Sequence, residues 1–149
     1  MTRGQLDNDL IQRVCCGNPS AMDFLANYWS RYVHEIDDII DGERPAPEDI
    51  LATFALAVSV YAHPFYLANL AALKQLVLVI NSTYADAVAW EKSEDAWQRE
   101  FADHHRHVGM DMVVAVAQLC GGYEHGRNIS REQRAICYHD HHNRKGEPT

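Results

Sequence analysis

Five acidic residues fall within nine positions of this chain, at Glu35, Asp37, Asp38, Asp41 and Glu43. Asp37 and Asp41 are four residues apart, so on a helix they stand one turn from each other on the same side. Two carboxylates at that spacing repel unless a cation or a base lies between them. The segment therefore reads either as a magnesium site or as a solvated acidic helix end. Acids at a helix C-terminus oppose the helix dipole, and that small cost is the reason to look for a role.

Projected at about 100° per residue, the helix that carries these acids has a broad apolar arc of Met22, Leu25, Trp29, Tyr32, Val33, Ile36, Ile39 and Ile40. Asp37 and Asp41 lie together at one edge of the arc, whereas Asp38 faces the opposite side. Two later segments carry further polar candidates. Asn81 projects from the apolar face of a long helix that also carries Tyr66, Leu70, Leu73, Val77, Tyr84 and Val88, with Lys74 before it and Glu91 beyond it on the same side. A buried amide needs partners and a buried ammonium needs a counter-charge, both of which a metal–phosphate ligand would supply. Equally, Asn81 could bond a neighbouring helix while Lys74 extends into water. The third candidate set is one polar stripe of Glu100, Asp103, His104, His107, Asp111 and Gln118. His107 and Asp111, four apart, could share a metal, or the acid could orient the imidazole. On an exposed helix the same spacing is an ordinary ion pair.

The elements that must position these groups are helical. Residues from about Gln5 to Cys15 suit a short leading helix. Asn18 is a favourable N-cap with Pro19 at the first position, opening a helix that ends at Asp41 before Gly42. Pro47, Glu48 and Asp49 open a second helix, which meets His63 and Pro64 as a break. A third covers about Phe65 to Glu91. A fourth opens near Ser93 and reaches Leu119 before Gly121 and Gly122. Ser130 with Gln133 forms a capping box for a short last helix. No strand alternation and no repeat is visible. The expected fold is all-α, a compact bundle of four main helices plus short terminal helices. It is expected to form a single domain over residues 1–149, with 1–17 and 140–149 peripheral.

Composition bounds the function. The 149 residues include 47% hydrophobic and 23% charged side chains, with a net charge of −8. That charge argues against a nucleic-acid groove, which needs clustered Lys and Arg. Cys15, Cys16, Cys120 and Cys137 form no CxxC pair, and reduced thiols in a cytoplasmic protein are the expectation. The apolar run from Leu76 to Ile80 is too short to span a bilayer. The dense group at His139, His141 and His142 matches no zinc-ligand spacing and is expected to be solvent-exposed tail.

The segment from Arg31 to Arg44 resembles the first aspartate-rich motif of the isoprenoid synthases, both the polyprenyl diphosphate and the squalene–phytoene branches. In those all-helical families the first and last aspartates hold magnesium that grips a substrate diphosphate. The resemblance assigns those roles to Asp37 and Asp41. It covers about fourteen residues, and Ala85 and Ala89 stand where a second metal motif counted from Asn81 would have a hydroxyl and an acid. Glu35 and Asp38 also resemble half of the ExxD pattern of the all-α nucleoside triphosphate pyrophosphatases, with Asn81, Asp86 and Glu91 near the place of the other half.

Two functional expectations follow. The first is a small magnesium- or manganese-dependent enzyme acting on a diphosphate or nucleotide, a phosphorylated small molecule. In it Asp37, Asp41, Glu91 and Asp111 bind metal, Glu35, Asp38, Asn81 and His107 assist the chemistry, and Lys74 contacts the ligand. The second is a non-catalytic acidic helical accessory or inhibitor protein that binds a basic protein partner. A homodimer is compatible with either, and neither involves a membrane.

Overall fold

The computed structural model describes residues 7–145, with side chains described through Ile136. The histidines at 139, 141 and 142 therefore lie outside the described side chains. All regular structure among the described residues is helical. Contacts divide the chain into two units, Met1–Ala71 and Ala72–Thr149.

The first unit opens with α1 (Asn8–Val14), capped by the Asp7 carboxylate on the Asp9 N–H, 3.2 Å. Asn18 caps α2 (Pro19–Asp23) by accepting from the Ala21 N–H at 3.1 Å, with Pro19 at the first position where its missing N–H costs nothing. The helix expected to run unbroken to Asp41 instead widens into a π segment over Phe24–Trp29 before continuing as α3 (Ser30–Ile40). The Ser30 N–H bonds the Leu25 carbonyl five residues back. Widening the turn draws Phe24, Leu25 and Trp29 towards one side, and all three are buried.

Around Phe24 the unit builds an aromatic core. Its ring centroid lies 5.5 Å from His63, 5.6 Å from Phe65 and 6.5 Å from Trp29. Tyr61 adds edge contacts to Tyr32 and Tyr66, and burial pushes its phenol well above the ordinary range. These partners arrive on α4 (Pro47–Tyr61) and on the single turn α5 (Pro64–Ala68). His63, expected only as a break, is the buried N-cap of α5. Its Nδ1 accepts from the Phe65 N–H at 3.1 Å, so Nε2 carries the proton and donates to Asp23 at 2.8 Å. The third expected helix does not begin at Phe65. Asn69 donates its side-chain amide to the Phe65 carbonyl at 2.9 Å, ending α5, and α6 (Leu70–Trp90) starts afresh.

In the second unit α6 buries Leu73, Ile80 and Ala87, a stripe at seven-residue spacing. Asp95 caps α7 (Ala96–His105), whose Trp97 and Phe101 pack on Trp90 at 5.8 and 5.9 Å. The fourth expected helix is broken at residues 106–109. Tight bonds such as Val108 N–H to the His105 carbonyl turn the chain before α8 (Met110–Gly121). Gly122, at φ 86°, reverses it into α9 (Tyr123–Lys145). The expected last helix from Ser130 thus begins a full two turns earlier, and Ser130 lies inside it. Pairing of α8 with α9 buries Met112, Val113, Val116 and Ile129, and this packing outweighs the local capping signal.

The His63–Asp23 bond gives an acid-side prediction. Hydrogen bonds from His63 and then Asn27 hold the Asp23 carboxyl below the usual carboxylate range. Its stabilising contribution is therefore complete above the unfolded value of about 4 and is lost as pH falls through the lowered native value. Urea melts at stepped pH should show Asp23→Asn less stable than the wild type near neutrality, with the gap closing below about pH 4. A gap that widens on acidification would show that the carboxylate is not the stabilising species.

Candidate functional site

The acidic segment closes α3. Asp41 is the C-cap, its N–H bonded to the Asp37 carbonyl at 2.9 Å. Gly42 follows at φ 76°, where a side chain would be strained. The Gly42 N–H returns to the Ile39 carbonyl at 3.1 Å and the Glu43 N–H to the Asp38 carbonyl at 2.8 Å, the double bond pattern of a Schellman end. Gly42 thus stops the helix as its residue type predicts. The side chains of Asp37 and Asp38 are half-buried, while Asp41 and Glu43 are exposed.

Glu35 sits deeper than any of them, at 7% exposure. One oxygen accepts from Arg31 Nε at 2.9 Å and has Arg44 Nη1 at 3.9 Å. The other accepts from the Thr53 hydroxyl on α4 at 3.2 Å, whose single proton is shared with the Asp49 carbonyl at 3.0 Å. The carboxylate proposed to assist chemistry is thus placed as a clamp between α3 and α4, with both oxygens engaged. Arg44 extends the clamp by pairing with Asp49 at 2.8 Å in the first turn of α4, and this bond holds the guanidinium more firmly protonated. The sequence held no local sign of the Thr53 contact, because the two residues are eighteen positions apart.

The remaining candidates belong to the second unit, where Lys74 is exposed as its solvent reading had it and several others are placed differently from their sequence projection. Asn81, expected in the middle of an apolar face, is exposed, and so is Lys74. The projection failed because α6 is apolar nearly all round, and periodicity alone does not say which side is covered. Glu91 is paired with Arg106 Nη1 at 2.6 Å, and that guanidinium lies 5.1 Å from the Tyr84 ring centroid. Asp111 belongs to the polar stripe read from the sequence. It lies in the first turn of α8, where the dipole favours an acid, and pairs with Arg134 Nη2 of α9 at 3.1 Å. The turn at 106–109 also removes the helical i, i+4 relation assumed for His107 and Asp111, and His107 is exposed.

A shallow cleft of about 370 Å³ is lined by Glu91, Ala96, Arg99, Glu100 and Asp103. It contains Glu91 and two acids of the stripe read from the sequence, together with Arg99, and its Glu91 is paired with Arg106. Among the described residues no three His, Cys, Asp or Glu side chains gather into a group able to hold a metal ion. The four expected metal ligands are divided between the units, Asp37 and Asp41 in the first, Glu91 and Asp111 in the second. Asp37 and Asp41 by themselves match the one or two carboxylates that magnesium usually takes from a protein.

Comparison with family models, with curated proteins and with solved structures finds no match to this chain. No helix among the described residues is long and apolar enough to cross a membrane.

If Glu35 is a clamp, its removal is felt as stability. Glu35→Ala should lower unfolding free energy by about 2 kcal/mol, the scale of buried hydrogen bonds to a charged group. Exposed Glu43→Ala should stay within about 0.5 kcal/mol of the wild type. Equal effects in denaturant melts would refute the clamp.

Proposed function

We propose that this chain is a non-catalytic helical accessory protein that binds a basic protein partner through the acidic α3–α4 hairpin. One observation carries this reading: the clamp of Glu35, Arg31, Arg44 and Thr53 and the Schellman turn at Gly42 hold a fixed hairpin whose rim carries Asp38, Asp41, Glu43 and Glu48. Charge distribution supports it. Residues 1–71 contain ten of the 21 acids but only four of the 13 basic residues, so most of the net charge of −8 resides there. A surface of that kind steers and aligns a cationic partner. The chain's own arginines occupy Glu35, Glu91 and Asp111, which accounts for these acids as structural pairs.

Fluorescence anisotropy with a labelled Lys- and Arg-rich peptide tests the reading. Binding should weaken at least tenfold, about 1.4 kcal/mol, between about 0.05 M and about 0.3 M salt. The triple change Asp38→Asn, Asp41→Asn, Glu43→Gln should weaken it about tenfold, whereas Glu94→Gln with Asp95→Asn on the second unit should not. Equal weakening by both sets would sink the assignment to the hairpin.

A second reading rests on Asp37 and Asp41 alone, which the backbone bond between them fixes one turn apart. Under it the pair holds Mg²⁺ or Mn²⁺, which would neutralise phosphoryl oxygens of a phosphorylated small molecule and activate a water. Calorimetric titration with magnesium chloride separates the readings. A binding heat that disappears in Asp37→Asn, Asp41→Asn favours the metal, and no binding tighter than about millimolar removes it.

A further inference from the structure

The face of α4 opposite the Glu35 clamp is apolar and uncovered. Thr53, Leu56 and Val60 line the buried side, whereas Leu51, Phe54 and Val58 are 67%, 68% and 70% exposed. With Ala55 and Ala62, also exposed, they follow the i, i+3, i+4, i+7, i+11 spacing of a single stripe. The stripe is about 17 Å long. A helix that is apolar on both sides is ordinarily covered on both. A contiguous apolar surface bordered by charge marks a docking site.

Charge identifies the occupant. From Pro45 to Leu73 the chain has no lysine or arginine, Arg44 is taken up by Asp49, and the exposed charged residues just preceding the stripe are the acids Glu43 and Glu48. A second copy of this chain would bring the same stripe and the same acids, leaving those carboxylates without counter-charge. A partner that satisfies both features supplies an apolar face and cations together.

We infer that the α4 stripe is the seat of an amphipathic helix of the basic partner, running antiparallel to α4, its Leu- or Ile-type anchors on Leu51, Phe54 and Val58 and its cationic last turn over Glu43 and Glu48. This rests on the proposed function and specifies its partner. The antiparallel direction follows from the dipoles. Lys and Arg are favoured at the C-terminal end of the partner's helix, and the acids stand at the N-terminal end of α4. Ridge-into-groove packing is helped by the small side chains Ala55 and Ala62 between the large ones. The mode is a helix laid on a hydrophobic helical surface, with a few large side chains as anchors.

The test uses the full chain and two labelled peptides of about sixteen residues and equal composition. One places leucines at helical i, i+3, i+7, i+11 spacing with lysines in its last turn, and the other is its scramble. The helical peptide should bind at least tenfold more tightly and gain helical circular dichroism on binding. Phe54→Ser with Val58→Ser should remove that preference while leaving the salt-dependent binding of the scramble unchanged. Equal affinity for the two peptides overturns the inference and leaves the acidic-hairpin reading standing, whereas no binding of either overturns both. A wild-type dimer in sedimentation that the double variant converts to a monomer makes a second copy the occupant and overturns the inference. So does flotation of the wild type with phosphatidylcholine vesicles. A loss of thermal midpoint in the double variant overturns it as well, by showing that the chain covers the stripe itself.

Discussion

A carboxylate withdrawn from water has to be given partners, and Glu35 receives two hydrogen-bond donors and one further cation. Arg31 reaches it from one turn earlier on its own helix, Thr53 from the facing helix, and Arg44 from the loop between them. Removal of any one would leave part of a buried charge uncompensated, which is costly in a medium of low polarity. The consequence is a fixed angle and register between α3 and α4. The acidic turn from Asp37 to Glu43 and the apolar stripe from Leu51 to Ala62 are both defined relative to that clamp. The surface proposed to bind a partner thus depends on a residue that takes no direct part in the proposed contact.

The aromatic core does related work lower in the same unit. Phe24 lies at its centre, and the π segment turns Phe24, Leu25 and Trp29 towards one side. His63 closes the cluster with both ring nitrogens used, one capping α5 and the other holding Asp23. Backbone capping, aromatic packing and a surface carboxylate are linked there through a single imidazole. A histidine in that arrangement is a structural connector, and its burial follows from the two hydrogen bonds that satisfy it.

Much of the helical order was legible because its signals are local. Asn18 with Pro19, Gly42 after Asp41, and the acids at the start of α4 each act within a turn of the residues that reveal them. The breaks at Asn69 and at 106–109 were not legible. Asn69 acts by a side-chain bond that its residue type permits but does not require, and the second break accompanies Arg106 reaching Glu91 and Tyr84. The start of α9 at Tyr123 was hidden for the opposite reason. A local capping signal at Ser130 was stronger than the packing signal, yet packing against α8 decides the element.

By itself the sequence determined that the chain is helical, that five acids cluster between Glu35 and Glu43, and that Asp37 and Asp41 stand one turn apart. Each is fixed by composition or by spacing along a helix, quantities that do not depend on what the helix meets. Only the tertiary structure decided that Glu35 is buried and clamped, that Glu91 and Asp111 are paired with Arg106 and Arg134, and that Asn81 faces outward. The physical reason is that pairing and burial depend on side chains far apart in the chain. Where a helix carries apolar residues on every side, as α4 and α6 do, periodicity no longer tells which face is covered.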